Sequence, residues 1–131
     1  MNEISFEQVV VEGGVIAKYE DKKPHKTTGD GTLDVHLVWN AYEYDEWSII
    51  AKNRTNTGAY LYVEASNAEN PSEDDWALIK LVELEAGDNV SVVIKDRYLK
   101  IRIRCWSLGD GEKKHIAYDV CGFRKAGDAL W

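Results

Sequence analysis

The stretch from Asp96 to Trp106, DRYLKIRIRCW, constrains the fold more than any other part of this chain. Its residues alternate between two sets. The apolar set is Leu99, Ile101, Ile103 and Cys105. The other set places three cations between two aromatic residues: Tyr98, Lys100, Arg102, Arg104 and Trp106. Because successive side chains of a strand point to opposite faces, the alternation predicts a β-strand with one face in a core.

Strand-like runs recur along the chain, with turn residues between them, and no long segment has helical periodicity. The predicted strands are two short ones within Ile4–Tyr19, broken at Gly13 and Gly14, then Leu33–Ala41, Trp47–Arg54, Tyr60–Ser66, Trp76–Leu84, Asn89–Ile94, Asp96–Trp106 and His115–Arg124. This pattern predicts an all-β fold, an antiparallel β-sandwich of jelly-roll or immunoglobulin-like type with about eight or nine strands and little or no helix. We expect residues 1–131 to form a single domain.

In Leu33–Ala41 the alternation predicts that the inward-facing residues are Leu33, Val35, Leu37, Trp39 and Ala41. Trp47 is in phase with Ile49 and Ala51, so we predict that Trp39 and Trp47 lie in the core. Trp76 begins a predicted strand and is expected to cover one end of the sandwich. A short helical turn is predicted in the acidic loop Asn67–Asp75, with Pro71 in the first helical position.

The composition is acidic, with 23 acidic against 16 basic residues and a net charge of -7. Nucleic acid is a poor partner for such a chain, because binding to it depends on a basic field. No run is long and apolar enough for a membrane span, and the N-terminus lacks the pattern of a signal peptide. We therefore expect synthesis in the cytoplasm.

Cys105 and Cys121 are the only cysteines. If the last two strands formed a hairpin about Asp110, Cys105 would lie near His115, and the two sulfur atoms would be too far apart for a disulfide. We therefore predict two reduced thiols in the core, with a disulfide as the alternative. Cys105 is in phase with the apolar set, which argues against a cysteine–histidine nucleophile.

Neither a cofactor motif nor a catalytic motif stands out, so we predict no cofactor and no enzymatic activity. Acidic residues cluster in three loops, as they do in many calcium sites. None of these loops matches the EF-hand pattern, and the histidines and cysteines are not spaced as zinc ligands. We predict no metal. A small hydrolase that uses a pair of carboxylates remains an alternative, because the tertiary structure sets the distance between the two groups.

A group of seven residues is the predicted partner-binding site: Tyr60, Tyr62, Tyr98, Lys100, Arg102, Arg104 and Trp106. The aromatic members are out of phase with the core, which is typical of a subunit interface, and flat aromatic faces also stack on sugar rings. For the cations, pairing with acids on neighbouring strands, such as Glu64 or Asp119, is the competing interpretation.

Between Trp47 and Cys105 the segments follow one another in a recognisable order. A strand leads to an Asn-Thr-Gly turn, which is followed by Tyr60–Ser66, a polar loop, Trp76, Leu84–Asp88 and Asp96–Ile103. This order resembles that of small β-sandwich modules of phage virion proteins, of the decoration or tail-associated kind, and of bacterial surface proteins. The resemblance implies a structural or binding role.

We therefore predict a non-catalytic module that acts through protein–protein contacts or self-association. The resemblance makes an accessory virion protein, either a capsid decoration or a tail-associated subunit, the specific expectation, with incorporation into a virion if a phage encodes the chain. A carbohydrate-binding module that uses the exposed aromatic residues is the alternative, with a glycan as its partner. Nucleic acid and membrane are not expected partners.

Overall fold

The computed structural model describes residues 3–11, 14–21, 25, 32–107 and 115–125. Within these ranges the chain forms nine strands: β1 (Glu7–Val11), β2 (Gly14–Glu20), β3 (Asp34–Asn40), β4 (Glu46–Asn53), β5 (Ala59–Ser66), β6 (Ala77–Leu84), β7 (Asn89–Ile94), β8 (Lys100–Ser107) and β9 (Ile116–Lys125). The predicted strands are confirmed, with their ends moved by a few residues. In the same ranges, no helix has the length and apolarity needed to cross a membrane.

The strands form two antiparallel sheets. Sheet A has the order β1-β2-β9-β4-β7, and sheet B has the order β3-β8-β5-β6. From β2 onward the chain passes repeatedly between the sheets, and this order of strands is that of a jelly roll. The predicted all-β antiparallel sandwich is therefore confirmed, and of the two predicted types the topology is the jelly roll.

The core lies between the sheets and contains the two tryptophans that the alternation placed there. Trp39 of β3 and Trp47 of β4 are fully buried, with ring centroids 5.7 Å apart. Phe6 packs against both rings, at 6.0 Å from Trp39 and 4.9 Å from Trp47. Gly122 of β9 is required here, because a Cβ atom at that position would lie 2.6 Å from the Trp47 ring. The tryptophans therefore join the two sheets at one end of the sandwich.

The predicted hairpin between the last two strands is wrong. β8 pairs with β3 and β5 in sheet B, whereas β9 pairs with β2 and β4 in sheet A. In a jelly roll the chain crosses from one sheet to the other at this point, so neighbours in sequence are not neighbours in a sheet. The predicted hairpin tip is Ser107–Lys113; Ser107 ends β8, and the rest of the tip lies outside the described residues. Both thiols are free; Cys105 is buried as predicted, but Cys121 is only half-buried.

The predicted inward face of β3 is wrong at the N-terminal end of the strand. A β-bulge lies between Val35 and Leu37, and it inserts His36 as an extra residue. The insertion shifts the alternation by one residue, so Val35 is opposite Arg104 on the outer face, and His36 is buried. After the bulge the predicted pattern is confirmed, with Leu37 and Trp39 in the core.

The predicted helical turn exists, but Pro71 is not its first residue. A single turn of 3-10 helix covers Glu73–Asp75, and Ser72 is its N-cap. The Asp75 carboxylate accepts hydrogen bonds from both the backbone N–H and the hydroxyl of Ser72. Pro71 therefore lies just before the cap, where its missing N–H costs no hydrogen bond of the turn.

Candidate binding face

The outer face of sheet B carries six of the seven predicted partner-binding residues. Strand pairing sets their positions in rows across β3, β8, β5 and β6. One row runs Val35, Arg104, Tyr62, Leu81; the next runs Val38, Arg102, Glu64, Leu78. In the adjoining row at the other side, Trp106 is opposite Tyr60, which is opposite Glu83. We call this outer surface of sheet B the binding face.

At its centre lies an ion cluster formed by residues from two strands and the 3-10 turn. The Glu64 carboxylate accepts hydrogen bonds from Arg102 Nε at 2.8 Å and from Arg104 Nε at 2.6 Å. A second oxygen of Glu64 accepts one from Arg104 Nη2 at 2.9 Å. Arg102 also donates two hydrogen bonds to the carboxylate of Glu73, at 3.1 and 3.2 Å. Two arginines thus share two carboxylates, and pairing within the chain neutralises them.

Burial distinguishes the members of this cluster. Arg102 is only 4% exposed and Glu64 only 6%, although both occupy outward positions. Trp76 provides the cover: the Arg102 guanidinium lies 4.4 Å from the centre of its ring, a cation–π contact. Trp76 therefore covers the arginine rather than the end of the sandwich, where its place in the sequence had suggested it would lie.

The pKa values of the cluster follow from these contacts. Burial acts to lower the pKa of Arg102, but its hydrogen bonds to Glu73 and Glu64 outweigh burial and raise it. The hydrogen bond from Arg102 lowers the pKa of Glu73. Arg102 and Glu73 therefore both stay charged at neutral pH.

Beside the ion cluster lies an aromatic hollow of about 390 Å³ lined by Leu33, Tyr60, Tyr62, Leu81 and Trp106. The rings of Tyr60 and Trp106 are tilted against each other, with centroids 5.7 Å apart. Leu81 is 51% exposed at its rim. The hollow is open to solvent and mainly apolar, which is the form of a site that receives an apolar side chain or the face of a sugar ring.

Two predicted residues belong to neither the ion cluster nor the aromatic hollow. Tyr98 precedes β8 and packs, partly buried, against the core, so it is not on the binding face. Lys100 lies at the edge of the face, where its ammonium group is 2.5 Å from Glu3. β8 is the central strand of the binding face, and each of its three cations is therefore paired with an acid of its own chain.

Sequence reasoning missed Leu33, Glu73, Trp76 and Leu81 as members of the face. Leu81 carried the strongest signal, since the apolar residues of Trp76–Leu84 occupy both alternating sets of positions and some of them must therefore face outward. The bulge between β5 and β6 at Val63 and Glu64 explains this, because it shifts the phase within β6. Leu33 was predicted to face inward, and the β3 bulge reverses it in the same way.

A second polar cluster lies between the sheets, away from the binding face. His25 Nε2 is 2.8 Å from Asp21, and the His25 ring stacks on that of His36 with centroids 5.2 Å apart. His36 Nδ1 is 2.7 Å from the hydroxyl of Tyr118. Burial raises the pKa of Asp21, an effect that its hydrogen bond to His25 opposes. These buried contacts join β3 to β9, so the cluster has the position of a structural link.

The remaining predictions concern cysteine chemistry and metals. Burial raises the pKa of the Cys105 thiol to about 12, so at neutral pH it is protonated and a poor nucleophile. Asp119, considered as a partner for the central cations, instead pairs with Lys52 at 2.7 Å. Within the part of the chain that the structure describes, no group of three or more His, Cys, Asp or Glu residues is arranged to hold a metal ion.

Comparison with known proteins assigns no family. No protein-family model matches the chain, and no curated protein is similar to it in sequence. A solved Bacillus structure, from work describing endospore appendages as a novel family of disulfide-linked pili, is similar with a TM-score of 0.48 and 12% identity, covering 89% of this chain and 96% of that one. The capsular polysaccharide assembling protein CapF of Staphylococcus aureus is similar with a TM-score of 0.27 and 12% identity.

The alignment with CapF covers 94% of this chain but only 31% of CapF. A structure of CapF with the inhibitor 3-isopropenyl-tropolone aligns in the same way, with a TM-score of 0.29 and 11% identity. All three TM-scores are below 0.5 and all identities are far below 25%, so none of these similarities transfers a function. A function therefore has to be inferred from the surface of this protein itself.

Proposed function

We propose that this protein is a non-catalytic assembly module whose binding face is buried against a neighbouring protein subunit. The observation that carries the proposal is the aromatic hollow, an apolar and aromatic depression directly beside the charges of the ion cluster. Interfaces combine aromatic anchors in the centre with a polar rim in this way. An apolar side chain of the partner would fill the hollow, and the exposed leucines of β6 would be covered with it.

The role of the cations differs from the one expected from sequence. The alternation of the central strand predicts that Lys100, Arg102 and Arg104 meet a partner's acidic groups, but each already pairs with an acid of this chain. A partner with acidic groups would gain little there, because the arginine charges are already compensated. The ion cluster instead holds the face in one shape, and the aromatic hollow provides the binding energy.

Local charge balance supports burial of this face in particular. The chain carries a net charge of -7, which opposes close approach of acidic protein surfaces. On the binding face, by contrast, Arg102 and Arg104 are matched by Glu64 and Glu73. This part of the surface can therefore be covered without bringing a large net charge into the contact.

Photo-crosslinking tests the proposal with a partner of any identity. The photoreactive residue p-benzoylphenylalanine replaces Tyr62, which lines the hollow, and in a control protein it replaces Val10, an exposed residue on sheet A. Irradiation in the native cell should crosslink one discrete protein through position 62 and leave the Val10 control without that product. If neither position gives a product, or both give the same one, the binding face is not the contact surface.

The identity of the crosslinked protein decides the finer forms of the proposal. A capsid or tail subunit would support the accessory virion role that the sequence resemblance implies. If position 62 crosslinks no protein, a glycan array decides on the second candidate, sugar binding, which the tilted Tyr60–Trp106 pair in an open hollow favours. Binding that is lost in Trp106→Ala would then replace the assembly proposal.

A further inference from the structure

The described part of the two sheets has four edge strands, and they differ in how well they are protected. An edge strand presents unpaired backbone N–H and C=O groups, so it pairs readily with another strand unless a bulge, a charge or a covering segment prevents this. The edges of sheet B are β3 and β6, and those of sheet A are β1 and β7.

Both edges of sheet B are blocked. In β3 the bulge at Val35 and Leu37 interrupts the edge, and the Ile4 N–H donates a hydrogen bond to the Val38 carbonyl from the outer side. In β6 the register is shifted by a second bulge. Lys80 of β6 lies at this bulge and is exposed, so the edge also carries a charge. A bulge and a charged side chain on an edge strand both hinder pairing with a further strand.

The two edges of sheet A are not alike. β1 is five residues long and begins with the charged Glu7. β7 has the sequence NVSVVI, and within Asn89–Ile94 there is no charge, no proline and no glycine. Its register with β4 is continuous over six residue pairs. β7 is therefore an uncharged edge without a bulge in its pairing, the form that pairs most readily with another chain.

From these observations we infer that β7 is a self-association site, at which the β7 strands of two copies pair antiparallel about a two-fold axis and join their sheets A. The charges at the ends of the strand favour a second copy as the partner and favour the antiparallel direction of pairing. Asp88 precedes β7 and Lys95 follows it, and both are exposed. Antiparallel pairing brings Asp88 of each copy to the Lys95 end of the other, whereas parallel pairing would place like charges together.

The alternation of the strand limits the register of the pair. Two-fold symmetry within one sheet requires that residues opposite each other face the same side. Any pair centred on a single residue fulfils this condition, and the flanking charges favour Ser91 over Val92 as the centre, because a pair centred on Val92 would place Asp88 opposite Asp96 of the second copy. In the pair centred on Ser91, Ser91 lies opposite Ser91 of the second copy and Val90 opposite its Val92. Val93, which is 51% exposed in the single chain, then lies on the outer face opposite Asn89 of the second copy.

A charge-swap experiment on the full chain tests this pairing. Ser91→Lys places two ammonium groups opposite each other at the axis, and Ser91→Glu places two carboxylates there. We expect sedimentation equilibrium to show a reversible dimer of the unmodified protein, weakened by at least about tenfold in each variant alone, because like charges in direct opposition repel. An equimolar mixture of the two variants should again form dimers, now of one chain of each kind.

The matched control is Val10→Lys, which adds the same charge to the exposed edge strand β1 and should leave the dimer intact. A protein that is monomeric at every concentration overturns the inference, and so does a Val10→Lys variant that loses the dimer or a mixture that fails to restore it. Because β7 and the binding face lie on different sheets, Ser91→Lys should leave the photo-crosslink through position 62 unchanged. The two proposals can therefore fail separately.

Discussion

Single residues show how far alternation and burial can diverge. Arg102 occupies an outward position of β8, as its phase predicts, and yet it is 4% exposed because Trp76 and Glu73 cover it. Phase determines the face on which a side chain lies, and only neighbours from distant parts of the chain determine whether water reaches it. Cys105, by contrast, has both an inward phase and full burial.

The buried thiol of Cys105 makes stability depend on pH in alkali. Its pKa is raised by burial from 9.0 to about 12 in the folded protein, so the unfolded chain loses the proton first. Its contribution to stability is complete below pH 9 and falls, by up to about 1.4 kcal/mol per pH unit, as the pH rises toward the folded value. Urea denaturation between about pH 8 and pH 10 should show this decline.

The comparison that isolates the effect is Cys105→Ala against Cys121→Ala. The first variant is less stable at neutral pH because of the lost packing, but its stability should decline less steeply with rising pH. The second retains the buried thiol and should keep most of the slope. Equal slopes in all three proteins would show that folding does not raise the pKa of the Cys105 thiol as we expect.

Among the strands, β8 is central because it lies between β3 and β5 and contributes both to the core and to the binding face. Ile101, Ile103 and Cys105 face inward as predicted, whereas Leu99 lies before the strand and is only half-buried. The possibility that Glu64 neutralises the cations is confirmed for Arg102 and Arg104. The prediction succeeded because opposite charges at outward positions of neighbouring strands find each other whenever the strands pair. The predicted outward position of Tyr98 is wrong, because Tyr98 lies before the strand begins, where the alternation no longer holds.

Glu64→Gln tests the ion cluster that joins β5 to β8. The substitution keeps the shape of the side chain but leaves Arg102 buried with only Glu73 as an ionic partner. Removal of one member of a buried ion cluster should cost about 2–4 kcal/mol in the free energy of unfolding. Urea denaturation at neutral pH measures this loss. Glu83→Gln on β6, an exposed carboxylate of the same face, should change stability by less than about 0.5 kcal/mol.

Equal effects of these two substitutions would mean that the cluster contributes no more than an ordinary surface charge. The Glu64→Gln protein is also useful for the binding face. If the cluster holds the face in shape, the crosslink through position 62 should weaken in this variant even under conditions in which the chain remains folded.

In the molecule as a whole, the crossings between the sheets are the feature that local patterns cannot show. β8 and β9 are consecutive in the chain and lie in different sheets, joined through residues 108–114. The simplest connection of two consecutive strands is a hairpin, and that expectation failed here because the jelly roll sends the chain across the core. The same crossing brings His36 of β3 close to Tyr118 of β9.

Tyr118→Phe tests this link between the two sheets. The substitution removes a hydroxyl that lies 2.7 Å from His36 Nδ1 in the buried cluster, without leaving a cavity. A buried hydrogen bond whose partner stays behind should cost about 1–3 kcal/mol. Tyr44→Phe provides a comparison, because the Tyr44 hydroxyl accepts a hydrogen bond from Gln8 near the surface and its loss should cost less. Unchanged stability of Tyr118→Phe would contradict a structural role for the cluster.

The sequence by itself determined the positions of the strands, the β-sandwich class and most of the core, because alternation, turn residues and tryptophan phase are local properties of the chain. It also placed Tyr60, Tyr62 and Trp106 together on one outer face. Only the tertiary structure decided the jelly-roll pairing, the bulges that reverse Leu33 and Val35, and the partners of the arginines. These depend on contacts between residues far apart in sequence, and no local pattern contains them. For the same reason the position of β7 at an edge of the described sheet A became visible only once the strand pairing was known.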